Sequence, residues 1–188
     1  MDRTEQMSRL VVIAKYQENL SWTSQLTSEF IYYDKSDRMF NVGREAHTYC
    51  HHIIKNYETL SDELFFTQGD PFDHCPDFIN VTQQPLIEDF VALGGGKFGQ
   101  ILQCDQTGAP NHRGLDLKVV WDKLFTTTCP TSFSFSSGAT LAVKKSRILF
   151  RPKEFYIKCR DILAYDINPI EGFVFERLWS RIFDGSTT

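Results

Sequence analysis

The sequence predicts an α/β domain with a mostly parallel central sheet flanked by helices. Three observations carry that expectation. Residues 10–14, 30–33 and 64–66 are short apolar runs with the length and composition of strands, the first and third of them buried. Residues 44–57 repeat apolar side chains at helical spacing. The first third alternates strand, helix and strand, the order of a parallel crossover unit. At 188 residues the chain fits one domain, taken as 1–188, with enough length for a sizeable core.

The elements follow in order. Leu10-Val11-Val12-Ile13-Ala14 is a buried strand that stops at Lys15-Tyr16-Gln17-Glu18-Asn19. Asn19 or Ser21 caps a short helix through Trp22 and Leu26. Phe30-Ile31-Tyr32-Tyr33 is the second strand, ended by Asp34-Lys35-Ser36-Asp37. In the main helix, Ala46, Tyr49, Cys50, Ile53, Ile54 and Tyr57 form the apolar face. His51, His52 and Lys55 lie off that face, and His47 at its border. His47 and His51 are four apart, a spacing that shares a metal, but no helical acid stands at ligand spacing.

Leu64-Phe65-Phe66 is the third strand. Residues 75–97 read equally as strand or helix around 81–91. Gly94-Gly95-Gly96 is a break and no phosphate loop, since no Gly-Lys-Ser/Thr follows. Residues 103–115, with Gly108, Pro110 and Gly114, form a polar loop of the kind that closes over a ligand. A helix over 116–125, strands at Phe133-Ser134-Phe135 and 138–143, a helix begun by Pro152, and a buried helix over 172–183 complete the chain.

Composition narrows the function classes. Apolar residues make up 41% and charged residues 23%, a globular balance. The net charge of -4 argues against a nucleic-acid binder, which carries a basic surface. The five cysteines are widely spaced without zinc or redox spacing, so free thiols in a reducing, cytoplasmic compartment are expected. No signal peptide and no transmembrane stretch are expected.

The chemistry concentrates in Gln68-Gly69-Asp70-Pro71-Phe72-Asp73-His74, directly after the third strand. Ligands of open α/β sheets bind beyond the carboxyl ends of strands. Asp70, Asp73 and His74 stand where a divalent cation and an anionic ligand are held. The competing reading is a polar turn in which Asp70 caps the backbone. Lys15 and Arg44 add positive charge at a strand end and a helix start. Candidates for a general base are Glu176, Glu171, Asp166 and His112. Glu176 stands out because it interrupts an apolar helix, which raises a carboxyl pKa.

Four blocks together resemble a known family: Val11-Val12-Ile13-Ala14-Lys15 with Ser21-Trp22; Asn41-Val42-Gly43-Arg44-Glu45-Ala46-His47-Thr48-Tyr49; the Gln68–His74 turn; and Gly138-Ala139-Thr140-Leu141-Ala142-Val143 with Arg151-Pro152-Lys153-Glu154-Phe155-Tyr156. They resemble a domain-of-unknown-function family of fungi, algae, bacteria and large viruses. That family is similar in turn to GT-A glycosyltransferases and to the rhamnosyltransferase-like domain of a chlorella-virus glycosyltransferase. The resemblance implies a GT-A-like, Rossmann-like fold. It also implies transfer of a sugar from a nucleoside-diphosphate sugar, UDP-linked by frequency among such enzymes, to a glycan or other hydroxyl acceptor.

In such enzymes an Asp-x-Asp motif after a strand holds Mn²⁺ or Mg²⁺ against the donor diphosphate. Here Gln68-Gly69-Asp70 takes that place, so the first acid is an amide. The resemblance makes Asp70 the metal ligand, assisted by Asp73 or His74. It makes Lys15, Arg44, Gln68 and Asp70 donor-binding, with Glu176, Glu171 and His112 as catalytic candidates. Two rivals remain at this point. One is a non-catalytic nucleotide- or glycan-binding module of the same fold. The other is a metal-dependent hydrolase built on Asp70, Asp73 and His74.

Overall fold

Val11, Val12, Ile13 and Ala14 are all buried because their strand lies inside the sheet with side chains packed on both faces. The computed structural model describes residues 7–37, 39–94, 100–102, 104, 108–109, 112–135 and 138–184. At 100–102, 108–109, 112–113, 133–134 and 184 only the backbone is described.

The chain runs through β1 (Arg9–Lys15), a 3-10 turn (Ser21–Gln25), β2 (Glu29–Asp34), α1 (Arg44–Lys55), β3 (Glu63–Gln68), α2 (Phe78–Gln83) and β4 (Phe90–Ala92). It continues through β5 (Gln100–Leu102), β6 (Gly108–Ala109), β7 (His112–Arg113), α3 (Leu117–Leu124), β8 (Phe133–Phe135) and β9 (Leu141–Lys144). Three helices follow: α4 (Lys145–Leu149), α5 (Lys153–Leu163) and α6 (Glu171–Asp184).

The main sheet has the order β2-β1-β3-β9-β4. β1 pairs in parallel with β2 and with β3, while β9 pairs antiparallel with both β3 and β4. Within this sheet β9 alone runs against the rest, so the expected mixed α/β, mostly parallel sheet is present.

The two crossovers lie on opposite faces. Trp22 of the 3-10 turn packs with Val11 and Ile13, whereas Ala46, Tyr49, Cys50 and Ile53 of α1 pack with Val12 and Ala14. From β1 the chain therefore winds one way to β2 and the other way to β3. The seam between β1 and β3 is a topological switch point, where neither crossover covers the carboxyl ends.

Several expectations are corrected. Residues 75–97 hold both α2 and the strand β4, with Gly95, Gly96 and Lys97 outside the described residues. Within 103–115, Gly108–Ala109 and His112–Arg113 pair as a two-stranded antiparallel ladder, which an irregular loop would lack. His52, expected off the buried face, is 2% exposed, because that side of α1 lies over the sheet, against the rings of Tyr33 on β2 and Phe66 on β3. Tyr33 Oη lies 3.0 Å from His52 Nδ1 and gives the buried imidazole a partner.

The cysteines also differ from expectation. Cys104 and Cys129 form a disulfide with Cα atoms 6.1 Å apart, while Cys50, Cys75 and Cys159 are free and buried. The fold brings together two residues whose sequence separation of 25 carries no pairing signal. Since disulfides persist in oxidising compartments, the thiol argument for a reducing one no longer applies. Among the described residues no helix is long and apolar enough to cross a membrane.

Burial of the α1 histidines has a measurable consequence. Burial, reinforced by neighbouring cations, pushes both His47 and His52 from the ordinary 6.5 down to about 4. The unfolded chain then binds more protons than the folded one between those values. Stability is therefore full above pH 6.5 and drains as pH falls toward 4. Urea midpoints measured from pH 7.5 downward should decline through this window. A midpoint that stays level to pH 4 would contradict the burial of these rings.

Candidate functional site

A crevice of about 450 Å³ opens at the switch point, between the ends of β1 and β3 and the start of α1. Ala14, Lys15 and Gln68 come from the strand ends, Tyr16 and Glu18 from the loop after β1, and Lys35 from the turn after β2. Asn41, Arg44 and Glu45 come from the entry to α1, and Ile167 and Asn168 from the α5–α6 loop. Three of the four expected donor-binding residues thus share one cavity.

The local backbone explains the convergence. Gly43 adopts φ +67° and Arg44 φ +52°, so the chain turns sharply into α1. An added Cβ at Gly43 would stand 2.5 Å from His47 Cβ and 2.9 Å from Leu163 Cβ and its carbonyl oxygen. Gly43 N–H donates to the Asp166 carbonyl at 2.8 Å, tying the α5–α6 loop to the crevice. At the opposite wall, an added Cβ at Gly69 would meet the Glu18 carboxylate at 2.5 Å, and Trp22 Nε1 donates to the Gly69 carbonyl at 2.9 Å. Gly69 is therefore required by the close approach of Glu18, whose Cβ would also stand 2.8 Å from the added atom.

The charges are unequally compensated. Lys15 Nζ pairs with Asp34 Oδ2 at 2.6 Å, and this contact, with Ser36, holds the Asp34 carboxyl down at about 2. The Glu18 carboxylate accepts the consecutive N–H groups of Tyr16 (2.6 Å) and Gln17 (3.1 Å). Arg44 stacks on Phe173 at 4.4 Å, donates to Asn168 Oδ1 at 2.7 Å and lies 3.7 Å from Glu45. Among the described residues the Lys35 ammonium bonds only neutral carbonyls, those of Val42 and Arg44.

Apart from Gln68, the remaining sequence candidates do not line this crevice. Gln68 Nε2 donates to the Asp70 carbonyl at 2.7 Å, which leaves the Gln68 amide oxygen as the free acceptor. Asp70 is exposed and its Oδ1 accepts Phe72 N–H at 3.1 Å, the capped turn that was the competing reading. Asp73 and His74 are exposed in the same turn. Among the described residues no three His, Cys, Asp or Glu side chains converge as a metal-binding group.

Glu176 is mostly enclosed on α6. Burial raises its carboxyl pKa, Glu45 raises it further, and Arg177, Arg44 and His74 act in the opposite sense. It thus stands within electrostatic reach of both the crevice entry and the 68–74 turn. Glu171 accepts the Tyr165 hydroxyl at 2.5 Å, which pushes that phenol up to about 12. Asp166 Oδ1 accepts Asn168 N–H at 2.8 Å and shapes its own loop. The His112 backbone pairs with Ala109, and its side chain lies outside the described residues.

Larger cavities exist elsewhere. One of about 810 Å³ lies between residues 37–42 and the α1–α5 pair, and one of about 630 Å³ beside Cys104–Cys129. Each has one Lys or Arg in its lining and neither sits on the strand ends. The crevice has three cations and the switch-point position, so it is the stronger candidate for a ligand site. Sequence reasoning missed Lys35, Tyr16, Glu45 and Ile167 as members of it. Only the block around Gly43-Arg44-Glu45 carried a signal for one of them.

No curated protein and no solved structure matches the chain. One family profile matches it over residues 10–92 and 99–188, spanning every wall of the crevice. The protein belongs to the family described as proteins of unknown function, DUF3431.

Proposed function

We propose that the protein is a glycosyltransferase that takes a sugar from a nucleoside-diphosphate sugar held in the switch-point crevice. The observation that supports this reading is the composition of the crevice. Lys15, Lys35 and Arg44 supply cations, and Tyr16 and Ile167, 44% and 60% exposed, supply apolar walls. A nucleotide needs both, phosphate contacts and a surface for the base. The N-terminus of α1 carries no side-chain cap, so its first N–H groups are available to an anion.

The roles follow from placement. The donor diphosphate lies against Lys15, Lys35 and Arg44. The Gln68 amide oxygen accepts from a ribose hydroxyl, and the base lies along Tyr16. Among the described residues the second carboxylate oxygen of Asp70 has no protein partner, so Asp70 would be the residue to hold Mn²⁺ or Mg²⁺. A divalent cation held there would supply Lewis-acid stabilisation of the charge on the departing diphosphate.

Glu176, with its raised pKa, takes the proton from the acceptor hydroxyl. The acceptor oxygen then bonds the anomeric carbon as the bond from that carbon to phosphate oxygen breaks. The nucleoside diphosphate leaves with the electron pair. Proton transfer by a positioned carboxylate of this kind contributes roughly 10²–10⁴-fold.

Calorimetric titration of UDP, GDP and ADP, with and without Mn²⁺, tests the reading. One diphosphate should bind, more tightly with metal. Lys15→Met should weaken it roughly 10–100-fold, the loss of one charge-assisted contact worth about 1.5–3 kcal/mol. Asp70→Ala should leave the protein folded and abolish the metal increment. No binding of any nucleoside diphosphate would overturn the proposal. The amide at Gln68, in place of a second acid, favours a non-catalytic binding module as the second reading. Tight binding without sugar transfer to any acceptor would select it.

A further inference from the structure

Lys35 is 6% exposed, yet it lines the crevice. It follows β2 directly, and its side chain turns back beneath the entry to α1. Nζ donates to the Val42 carbonyl at 2.6 Å and to the Arg44 carbonyl at 2.5 Å. The left-handed turn at Gly43 and Arg44 presents both carbonyls to one ammonium. Both partners are neutral, and Glu45 acts on the charge only through space. An ammonium has three N–H donors, so one remains for a further acceptor. A buried charge with no bonded counter-ion is costly, and such a group in a cleft is a candidate for completion by a ligand.

We propose that Lys35 is the proton-dependent anion receptor of the crevice, its ammonium taking the ligand's phosphate as a directly bonded counter-ion. The inference rests on the diphosphate reading above and adds its regulation. The crevice's affinity for a diphosphate falls as Lys35 gives up its proton.

The surroundings favour this residue over its neighbours. Arg44, Glu45 and His47 face it from α1, Lys15 from β1, and Glu18 from the loop after β1. Asp34, down at about 2, is committed to Lys15, and His47, down at about 4, is neutral above pH 7. Burial lowers Lys35 from 10.5 to about 8, with Arg44 acting in the same sense and Glu45 against it. An anion on Nζ reverses that effect, because ligand and proton each strengthen the binding of the other. Between the free and bound values, affinity should fall about tenfold per pH unit.

The test is calorimetric titration of UDP from pH 6.5 to 9, on the wild type and on Lys35→Arg, whose guanidinium stays protonated. Wild-type affinity should be level to about pH 8 and about tenfold weaker one unit higher. Lys35→Arg carries any titration of the nucleotide itself and should lack the additional fall. Proton–carbon NMR of the Lys35 Cε group reads the same event without substitution. Its midpoint should lie near 8 in the free protein and at least a unit higher with UDP. UDP binding with equal pH dependence in both proteins, or an unmoved Cε midpoint, overturns the role of Lys35 and leaves the diphosphate site standing. Absence of UDP, GDP and ADP binding at pH 7 overturns the diphosphate reading and this inference with it.

Discussion

Gly43→Ala should destabilise the protein by about 2–5 kcal/mol and disorganise the crevice entry. The first contribution is conformational, since a left-handed φ of +67° costs an L side chain about 1–2 kcal/mol. The second is steric. The new methyl would meet His47 Cβ at 2.5 Å and the Leu163 carbonyl at 2.9 Å, and neither belongs to the far end of a flexible side chain. Overpacking of this kind adds about 1–3 kcal/mol. The same residue donates its N–H to Asp166, so a shift would loosen the loop that carries Ile167 and Asn168. Urea denaturation measures the stability loss. A change below about 1 kcal/mol would mean that the backbone relaxes at no cost.

Ile53→Ala should cost about 2–5 kcal/mol, the range for removing a large side chain from a packed core. Ile53 is fully buried in the cluster that joins α1 to β1, β3, α5 and α6. Ile54, its chain neighbour, is only partly buried against that cluster, so Ile54→Ala should cost less. The pair tests the orientation of α1 about its axis. Equal losses, or a larger loss at Ile54, would rotate the helix away from the placement described here. Domains are stable by only about 5–15 kcal/mol, so either outcome is readily measured.

The parallel half of the fold was legible because its signals are local. The apolar runs at 10–14, 30–33 and 64–66 became β1, β2 and β3, and the periodicity of 44–57 became α1. Trp22 was read as part of a short helix and lies in the 3-10 turn. What escaped depends on distant contacts. His52 is buried because β2 and β3 reach beneath that side of α1 with Tyr33 and Phe66, which helical periodicity does not encode. Cys104 and Cys129 pair through the fold alone. β4 was ambiguous because its partner is β9, and three residues carry too little pattern to identify a strand.

The candidate crevice was legible in part, and for the same reason. Lys15, Arg44 and Gln68 sit at element ends, and the sheet brought those ends together. Lys35 reads in sequence as one more charged turn residue between Asp34 and Ser36. Its burial follows from residues 39–44 folding back over it, for which no motif exists. Asp70 illustrates the converse: a residue type suited to metals occupies a capped turn and has one oxygen spoken for.

The position of β9 bears on how the chain acquires its fold as it emerges from the ribosome. β1, β2, α1 and β3 are complete by residue 68, and they carry both seams of the parallel sheet together with all three crevice cations. β4 is synthesised next but has no seat beside β3, because β9 must be inserted between them. Until Leu141–Lys144 is available, one side of β3 presents unpaired backbone groups flanked by Leu64, Phe65 and Phe66. An open apolar edge of this kind recruits other chains. The last-made third of the protein therefore acts as the cover for its first-made third.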